Sequence, residues 1–295
     1  MIYIQRKLQP PELNLTNPNS IGYKELEDAK KTTFTKDSKF KFKAYKNANV
    51  KRILNEMFNG KCGYCESRID VTSYEDIEHF RPKKAIKIEG EPELVYPGYY
   101  WLAMDWDNLL VSCSRCNRSY KQNFFPLANE SKRAKGPKEV VFEEPLLLNP
   151  CVDNPSEHLV FIDTGIVTFK EGSDKGEKSI DIYGLYRKEL TDERAILAKD
   201  INFKMVQICD EVEELKQLAQ LKNNPNFEKM FERRVQSIIM LYDNLIEHIN
   251  DPKRPYREMV KQLTAEFLSK HQAEISSLRA VYNRKLSRES IRLPS

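Results

Sequence analysis

The chain has 295 residues, of which 40% are hydrophobic and 31% are charged, and its 48 Lys and Arg against 44 Asp and Glu give a net charge of +4. This composition is ordinary for a soluble protein that buries a core in one elaborate domain or two modest ones. No stretch approaches the ~18 consecutive apolar residues of a membrane span, and the first residues lack the apolar segment of a signal peptide. The sequence therefore predicts a cytoplasmic protein.

Residues 1–60 are predicted to form a basic N-terminal arm and a helix. Between Lys30 and Arg52, nine Lys and Arg stand against a single acid, and aromatic residues alternate with Lys41 and Lys43. This pattern favours a surface that follows nucleic-acid phosphates, with its rings available for stacking, whereas a solvated charged face is the alternative. Apolar residues at helical spacing then predict a helix that Asn59-Gly60 closes.

Two pairs of cysteines share the spacing Cys-x-x-Cys: Cys62 with Cys65, and Cys113 with Cys116. A two-residue spacer lets both sulfurs of a pair turn toward one ion, so the four thiolates predict a tetrahedral structural zinc site. Zinc requires reduced thiolates, which also indicates the cytoplasm. Without further signals, such pairs are more often a zinc knuckle used for binding or folding than part of an enzyme.

The residues between and after the cysteine pairs carry side chains suited to phosphodiester hydrolysis. Glu78-His79 lies between the pairs, Asn108 lies five residues before the second pair, and Asn117 follows that pair directly. Carboxylate and amide oxygens suit a hard cation such as Mg²⁺ or Mn²⁺. A histidine that is largely neutral near pH 7 is able to accept a proton from water.

From Lys61 to Leu127, this order of residues resembles the HNH endonuclease family. The resemblance implies a zinc-stabilised ββα-metal fold in which His79 ends the first strand as general base and Asn117 opens the helix. It implies that Glu78 and Asn117 hold one catalytic Mg²⁺ or Mn²⁺ ion. Asn108 would complete the catalytic set by fixing the His79 loop through hydrogen bonds.

A narrower resemblance lies in three longer sequence segments, Cys62-Gly-Tyr-Cys65-Glu66, Glu78-His79-Phe80-Arg81-Pro82-Lys83 and Trp106-Asp107-Asn108-Leu109. They are similar to those of HNH nucleases from retron-associated and Septu-type phage-defence systems. That resemblance implies an antiphage effector that works beside an ATPase subunit of the same system, or within a retron reverse transcriptase complex. The chain itself has no Walker-type phosphate loop, so we do not expect it to hydrolyse ATP.

Basic residues close to the proposed site are expected to contact nucleic acid. Between Arg115 and Glu139, seven Lys and Arg stand against two acids. The resembled family leads us to expect a lysine four residues after Cys116, where this sequence has Tyr120. The phosphate contact therefore falls to either Lys121 or Arg118. The predicted nucleic-acid contacts near the site are Arg81, Lys83, Arg118 and Lys121.

The sequence as a whole predicts an α+β protein in four segments. A nuclease core with the zinc knuckles spans 61–150, and a β-hairpin extension spans 151–186, with its turn at Asp163-Thr-Gly165 and a loop at Glu171–Lys178. Three apolar stripes, separated at Asn223–Pro225 and at Asp251-Pro252, predict a helical bundle over 187–295. The two cysteines outside the pairs, Cys151 and Cys209, are expected to be ordinary buried thiols.

Three functions are compatible with these signals. The first is a metal-dependent endonuclease of DNA or RNA, in which His79 is the general base. The second is a zinc-containing nucleic-acid-binding or adaptor protein, which has no chemical need for the set of Glu78, His79, Asn108 and Asn117. The third is a restriction-type HNH nuclease that acts alone; the sequence shows no further zinc fingers or helix-turn-helix that would read DNA sequence.

Overall fold

The computed structural model describes residues 1–69, 76–218 and 226–290, with side chains described as far as residue 284. The predicted break at Asn223–Pro225 lies outside the described residues. The chain divides into two compact units. Unit 1 comprises Met1–Val160 and Val167–Thr191, and unit 2 comprises Phe161–Ile166 and Asp192–Ser295. The division into four segments stays a prediction, whereas the mixture of helices with small sheets is confirmed.

Two helices lead to the first cysteine pair in unit 1. Helix α1 spans Ile21–Lys30 and begins at Ser20, whose hydroxyl accepts a hydrogen bond from the backbone N–H of Tyr23. Helix α2 spans Ala48–Phe58, and its buried face matches the apolar stripe of the sequence. It ends at Asn59, which adopts the left-handed conformation (φ 54°) that asparagine tolerates. The predicted closure of this helix is therefore confirmed.

The basic stretch before α2 turns its rings inward and its lysines outward. Phe42 is buried, and its ring stacks on Phe34 with the centroids 5.7 Å apart. Phe34 in turn stacks on Tyr100 at 5.1 Å. Lys41 and Lys43 are exposed, since neighbouring side chains of an extended segment point to opposite sides. The expectation that rings of this stretch are available for stacking is wrong for the buried ones, because burying their apolar surface contributes to the core.

A short antiparallel ribbon lies at the centre of unit 1. Strand β1 spans Asp76–His79 and strand β2 spans Leu109–Ser112, with Asp76 opposite Ser112 and His79 opposite Leu109. A π-helix then spans Arg115–Lys121, and it ends at Gln122, which has a positive φ of 48°. The strands of the ribbon are mostly buried, so their apolar residues anchor the polar side chains described below.

The second sheet is the predicted hairpin. Strand β3 spans Leu159–Phe161 and strand β4 spans Val167–Phe169, and Gly165 in the turn has a positive φ of 80°. The loop expected at Glu171–Lys178 is wrong, because helix α3 spans Asp174–Ile182. The hydroxyl of Ser173 accepts a hydrogen bond from Gly176 N–H, and this cap starts a helix within a stretch rich in turn-forming residues.

Three long helices form most of the described part of unit 2. Helix α4 spans Lys188–Leu218, beginning in unit 1, helix α5 spans Phe227–Asn250, and helix α6 spans Arg257–Ser290. The apolar stripes predicted from the sequence include residues that are buried here, among them Ile201, Ile208, Val212, Ile238 and Leu245. Helices α4 and α5 run antiparallel, since α4 pairs with the second half of α5 through Lys204 and Asn244 and with its first half through Glu211 and Arg234. Within the described residues, no helix combines the length and the apolar character needed to cross a membrane.

Candidate metal centre and histidine cavity

The four cysteines of the two pairs converge in unit 1. Their sulfur atoms all lie within 4.8 Å of one another, and the Cys65 and Cys113 sulfurs are 3.9 Å apart. A tetrahedral zinc with Zn–S bonds of about 2.3 Å requires sulfurs about 3.8 Å apart, so the cluster fits that ion. Cys62, Cys65 and Cys116 are buried, and Cys113 is half-buried. The predicted convergence of the four cysteines is therefore confirmed, while the metal ion itself stays a prediction.

Local backbone contacts of the first pair explain how it approaches the second. The backbone N–H of Gly63 donates a hydrogen bond to the carbonyl of Val111 in β2, 2.9 Å away. A side chain at Gly63 would meet the ring of Phe58 at 2.6 Å, so only glycine permits this approach. The second pair follows β2 directly, which brings both pairs to the same end of the ribbon.

Arg187 lies against the cysteine cluster. Its side chain is buried, and its Nη1 is 3.5 Å from the sulfur of Cys116. Hydrogen bonds from Cys113 and the other two cysteines, together with the charge of Arg187, lower the pKa of the Cys65 thiol well below its usual value. A guanidinium is therefore positioned to balance the negative charge that four thiolates bring to one metal ion.

His79 is buried at the end of β1, and its hydrogen bonds define its tautomer. Its Nε2 lies 3.0 Å from the carbonyl oxygen of Ala103, and because a carbonyl only accepts, we assign the proton to Nε2. Its Nδ1 lies 3.2 Å from the ammonium of Lys83, which donates to it. Burial, followed by the charge of Lys83, lowers the pKa of His79 well below its usual value. The ring is thus a neutral imidazole whose basic nitrogen is Nδ1.

Glu78 and Lys121 form a buried ion pair beside His79. The ammonium of Lys121 lies 2.6 Å from Oε1 of Glu78 and also donates to the carbonyl of His79 at 3.1 Å. The hydroxyl of Tyr64 lies 3.4 Å from the same carboxylate oxygen. Lys121 is fully buried, so its side chain braces the strand that carries Glu78 and His79. Its predicted contact with nucleic-acid phosphate draws no support from this position.

Asn117 lies in the π-helix, and its side chain is near Glu78 and His79. Its amide donates a hydrogen bond to Asp76 at 3.3 Å, and Arg118 forms an ion pair with the same carboxylate. The Arg118 side chain is 71% exposed, so of the two candidate phosphate contacts it is the one that reaches solvent. Asp76, the first residue of β1, was not singled out by the sequence analysis, although it lies two positions before Glu78 and therefore on the same face of the strand.

Glu78, His79 and Asn117 line one cavity of about 370 Å³, which we call the histidine cavity. Among the described residues, three lysines, Lys36, Lys83 and Lys84, line it together with one carboxylate, that of Glu78, so these charged walls are mainly positive. Burial lowers the pKa of Lys83 to about 8. A cavity with this charge is suited to a phosphate group beside a neutral histidine.

Asn108 fixes the loop that follows His79 and does not line the cavity. Its side-chain oxygen accepts from the backbone N–H of Arg81 at 2.7 Å. Its amide nitrogen donates to the carbonyls of Arg81 and Leu102 at 3.0 and 3.1 Å. These three hydrogen bonds join the segment at Arg81, just after His79, to the segment at Leu102. The next residue, Ala103, accepts the hydrogen bond of the His79 ring, so Asn108 fixes both sides of the imidazole.

The other predicted nucleic-acid contacts occupy different environments. The guanidinium of Arg81 forms an ion pair with the buried Glu143 at 2.8 Å, so it is engaged inside unit 1. Lys83 lines the histidine cavity, and its ammonium also lies 5.1 Å from the centre of the Tyr45 ring. Lys41 and Lys43 are exposed. Of the two other cysteines, Cys151 is buried as expected, whereas Cys209 is exposed on α4, which contradicts its prediction as a buried thiol.

Comparison with known proteins identifies relatives by sequence alone, since no protein-family model and no solved structure matches the chain. The Septu protein PtuB of Bacillus mycoides (strain KBAB4) is 60% identical over 295 residues, and the match covers the whole of both chains. The Septu protein PtuB of Bacillus thuringiensis is 32% identical over 176 residues, which are 59% of this chain and 54% of that one. The Septu protein PtuA of B. mycoides (strain KBAB4) is 29% identical over 248 residues, which are 82% of this chain and 32% of that one.

The cysteine cluster predicts a structural zinc. Protein purified without chelator should contain about one zinc per chain, and Cys65→Ser or Cys116→Ser should lose it and unfold or aggregate, because structural zinc contributes folding free energy directly. Elemental analysis and thermal unfolding measure both effects. Cys209→Ser, at an exposed thiol outside the cluster, is the control and should change neither. A fully folded wild-type protein without metal would contradict the prediction.

Arg187 is predicted to strengthen zinc binding. Arg187→Met should weaken zinc affinity about 10- to 100-fold, the range typical of groups that support metal ligands, because the thiolates lose a neighbouring cation. Competition with a chromogenic zinc chelator measures this affinity. Arg115→Met removes the same charge within the second cysteine pair, but the Arg115 side chain is 62% exposed and pairs with Glu189. Equal losses in the two variants would show that net charge, and not the buried contact, is responsible.

Proposed function

The chain belongs to the Septu PtuB family, and we propose that it is a metal-dependent endonuclease that hydrolyses phosphodiester bonds of DNA or RNA in antiphage defence. The observation that carries this proposal is the state of His79, a buried neutral imidazole whose Nε2–H is held by a backbone carbonyl. It lines a mainly positive cavity together with Glu78 and Asn117. The order of β1, β2 and the π-helix supports a ββα arrangement of the HNH type.

His79 is proposed as the general base. The hydrogen bond from Nε2–H to Ala103 fixes the ring and leaves Nδ1 as the nitrogen that accepts a proton from water. Lys83 contacts Nδ1 and lines the cavity, so a phosphate oxygen in the cavity competes for its ammonium. We propose that the ammonium of Lys83 leaves Nδ1 of His79 and binds the substrate phosphate instead. Nδ1 is then free to accept a proton from water.

Glu78 and Asn117 are proposed to hold a Mg²⁺ or Mn²⁺ ion. Within the described residues, the side-chain contacts of Glu78 with Lys121 and Tyr64 both use Oε1, which leaves Oε2 for a cation. The amide of Asn117 donates its N–H to Asp76, so its oxygen is the atom suited to a hard ion. When bound, such an ion neutralises charge on the scissile phosphate and on the leaving oxygen.

The partner is proposed to be the PtuA protein of the same Septu system. Relatives of this chain carry the names PtuA and PtuB, and both occur in one strain of B. mycoides. The resemblance to defence nucleases implies that PtuA is the ATPase that controls the cleavage. The names of these relatives favour the Septu system over a retron reverse transcriptase complex as the setting.

The ion pair of Glu78 with Lys121 favours a second candidate, a zinc-containing nucleic-acid-binding or adaptor protein without catalysis. A buried carboxylate paired with a fully buried lysine is a structural feature that such a protein also has reason to keep. The two candidates differ in one measurable respect. A pure binder has no use for the basic nitrogen of His79, whereas the nuclease depends on it.

His79→Ala is predicted to abolish cleavage while zinc content and folding are retained. Loss of a positioned general base typically lowers a rate by about 10² to 10⁴. Cleavage of DNA and RNA by the protein with its PtuA partner, in Mg²⁺ or Mn²⁺, measures the effect. His158→Ala is the matched control, because His158 is bound to Ser173 by a 2.7 Å hydrogen bond and does not line the histidine cavity. Wild-type cleavage by a folded His79→Ala protein would refute the mechanism.

Lys41 and Lys43 are predicted to bind phosphates. Changing both to Glu should weaken nucleic-acid affinity and reduce the slope of log K against log salt by about 1.4 to 1.8, because each lost phosphate contact removes about 0.7 to 0.9 units. Binding titrations at several salt concentrations measure this slope. Lys229→Glu with Lys253→Glu makes the same change of net charge at two exposed lysines of unit 2. An unaltered slope in the Lys41 and Lys43 variant would assign these lysines to a solvated face.

A further inference from the structure

A second cavity of unit 1 has walls of a different character. It measures about 360 Å³ and is lined by three aromatic rings, those of Tyr120, Phe124 and Tyr186; we call it the aromatic pocket. Its charged lining residues are two lysines, Lys87 and Lys178, and two acids, Glu89 and Asp181. The described walls of the aromatic pocket are therefore neutral overall, whereas those of the histidine cavity carry three lysines and one glutamate.

The two cavities are neighbours. Gln122, which directly follows the π-helix, lines both of them. Asn123, the next residue, lines the histidine cavity, and Phe124 after it lines the aromatic pocket. The two cavities therefore meet at Gln122.

Tyr186 is the most accessible ring of the aromatic pocket. It is 55% exposed, although Leu185 beside it is fully buried. Tyr120 is held in place as a fixed wall, because its ring packs on Gly184, where an added Cβ would lie 2.3 Å from it, and the guanidinium of Arg187 lies 5.9 Å from the ring centre. The rings of Tyr120 and Tyr186 meet edge to face at 6.2 Å. An exposed ring beside a fixed ring provides a face onto which a planar group can stack.

The different charges of the two cavities suit different parts of a nucleotide. A phosphate is attracted to the lysines of the histidine cavity, and an uncharged planar base is better suited to a neutral pocket with aromatic walls. We propose that the aromatic pocket binds the unstacked nucleobase of a nucleotide that flanks the scissile phosphate, with Tyr186 as the stacking surface. This inference rests on the proposed nuclease function and names its substrate class: nucleic acid with an unpaired nucleotide at the cut.

The substrate class follows from the geometry of stacking. A base in a duplex already stacks on both of its neighbours, so it has to leave the helix before it stacks on protein. An unpaired or single-stranded nucleotide makes this change at lower cost. Phe34 and Phe42 of the basic stretch are buried and do not offer such a surface, whereas Tyr186 is 55% exposed.

Fluorescence of 2-aminopurine placed at each position around the cut site tests the proposal. The probe is a single-stranded oligonucleotide, made as DNA and as RNA, bound to full-length His79→Ala protein with its PtuA partner so that it is not cut. One position adjacent to the scissile phosphate should be quenched, and Tyr186→Ala should remove the quenching and weaken binding about tenfold. Tyr186→Trp should retain both. The salt dependence of binding should not change, because no phosphate contact is lost.

Two controls make the result specific. Phe169→Ala removes another exposed ring of unit 1, 40% exposed, and should have no effect on quenching or affinity. An abasic nucleotide at the quenched position should weaken binding to the same extent as Tyr186→Ala, and the two changes together should add nothing further. Additive losses, or wild-type quenching in Tyr186→Ala, would overturn the assignment of the pocket. If the wild-type protein with its PtuA partner cuts neither DNA nor RNA, the proposed nuclease function is wrong, and the assignment of the pocket is wrong with it.

Discussion

Four sulfur atoms within 4.8 Å of one another join two parts of the chain whose cysteines lie 48 residues apart, and the geometry of unit 1 depends on that junction. Thiolates this close repel one another unless a cation lies between them, and burial of three of the four cysteines increases the repulsion. Arg187 contributes one positive charge from outside the cluster. The first cysteine pair precedes β1 and the second follows β2, so the cysteine cluster joins the segments on either side of the ribbon on which Glu78 and His79 lie.

The buried charge of Glu78 on that ribbon is paired with Lys121 of the π-helix. Lys121 neutralises Glu78 and also holds the carbonyl of His79, so a single ammonium orients two neighbouring residues of β1. Burying an ion pair costs desolvation energy that its attraction offsets only when the geometry is good and further hydrogen bonds are made. Apolar residues would stabilise the same space without that cost. The pair is therefore better explained by the orientation that it imposes on Glu78 and His79 than by a gain in stability.

The sequence predicted those features that depend on local spacing. The Cys-x-x-Cys pairs, the helix end at Asn59-Gly60 and the turn at Gly165 each follow from residue types a few positions apart. It did not predict Arg187, which contacts a cysteine 71 positions away, because a single sequence carries no signal for contacts at that distance. The same reason applies to Lys121, whose buried ammonium pairs with Glu78, 43 positions before it in the chain. The start of α3 was missed because one serine cap outweighed the turn-forming residues around it.

The π-helix Arg115–Lys121 connects the metal centre with both cavities. In this helix the hydrogen bonds span five residues, and the N–H of Gln122 bonds to the carbonyl of Asn117 at 2.6 Å. The wider turn aligns Asn117, which lines the histidine cavity, with Gln122, which lines both cavities. It likewise aligns Cys116 of the metal cluster with Lys121 of the buried ion pair. An α-helix would bring together residues three or four apart and break both alignments. This one π-helix therefore joins the four-cysteine cluster to the histidine cavity, because Cys116 belongs to the cluster and Asn117, the next residue, lines the cavity.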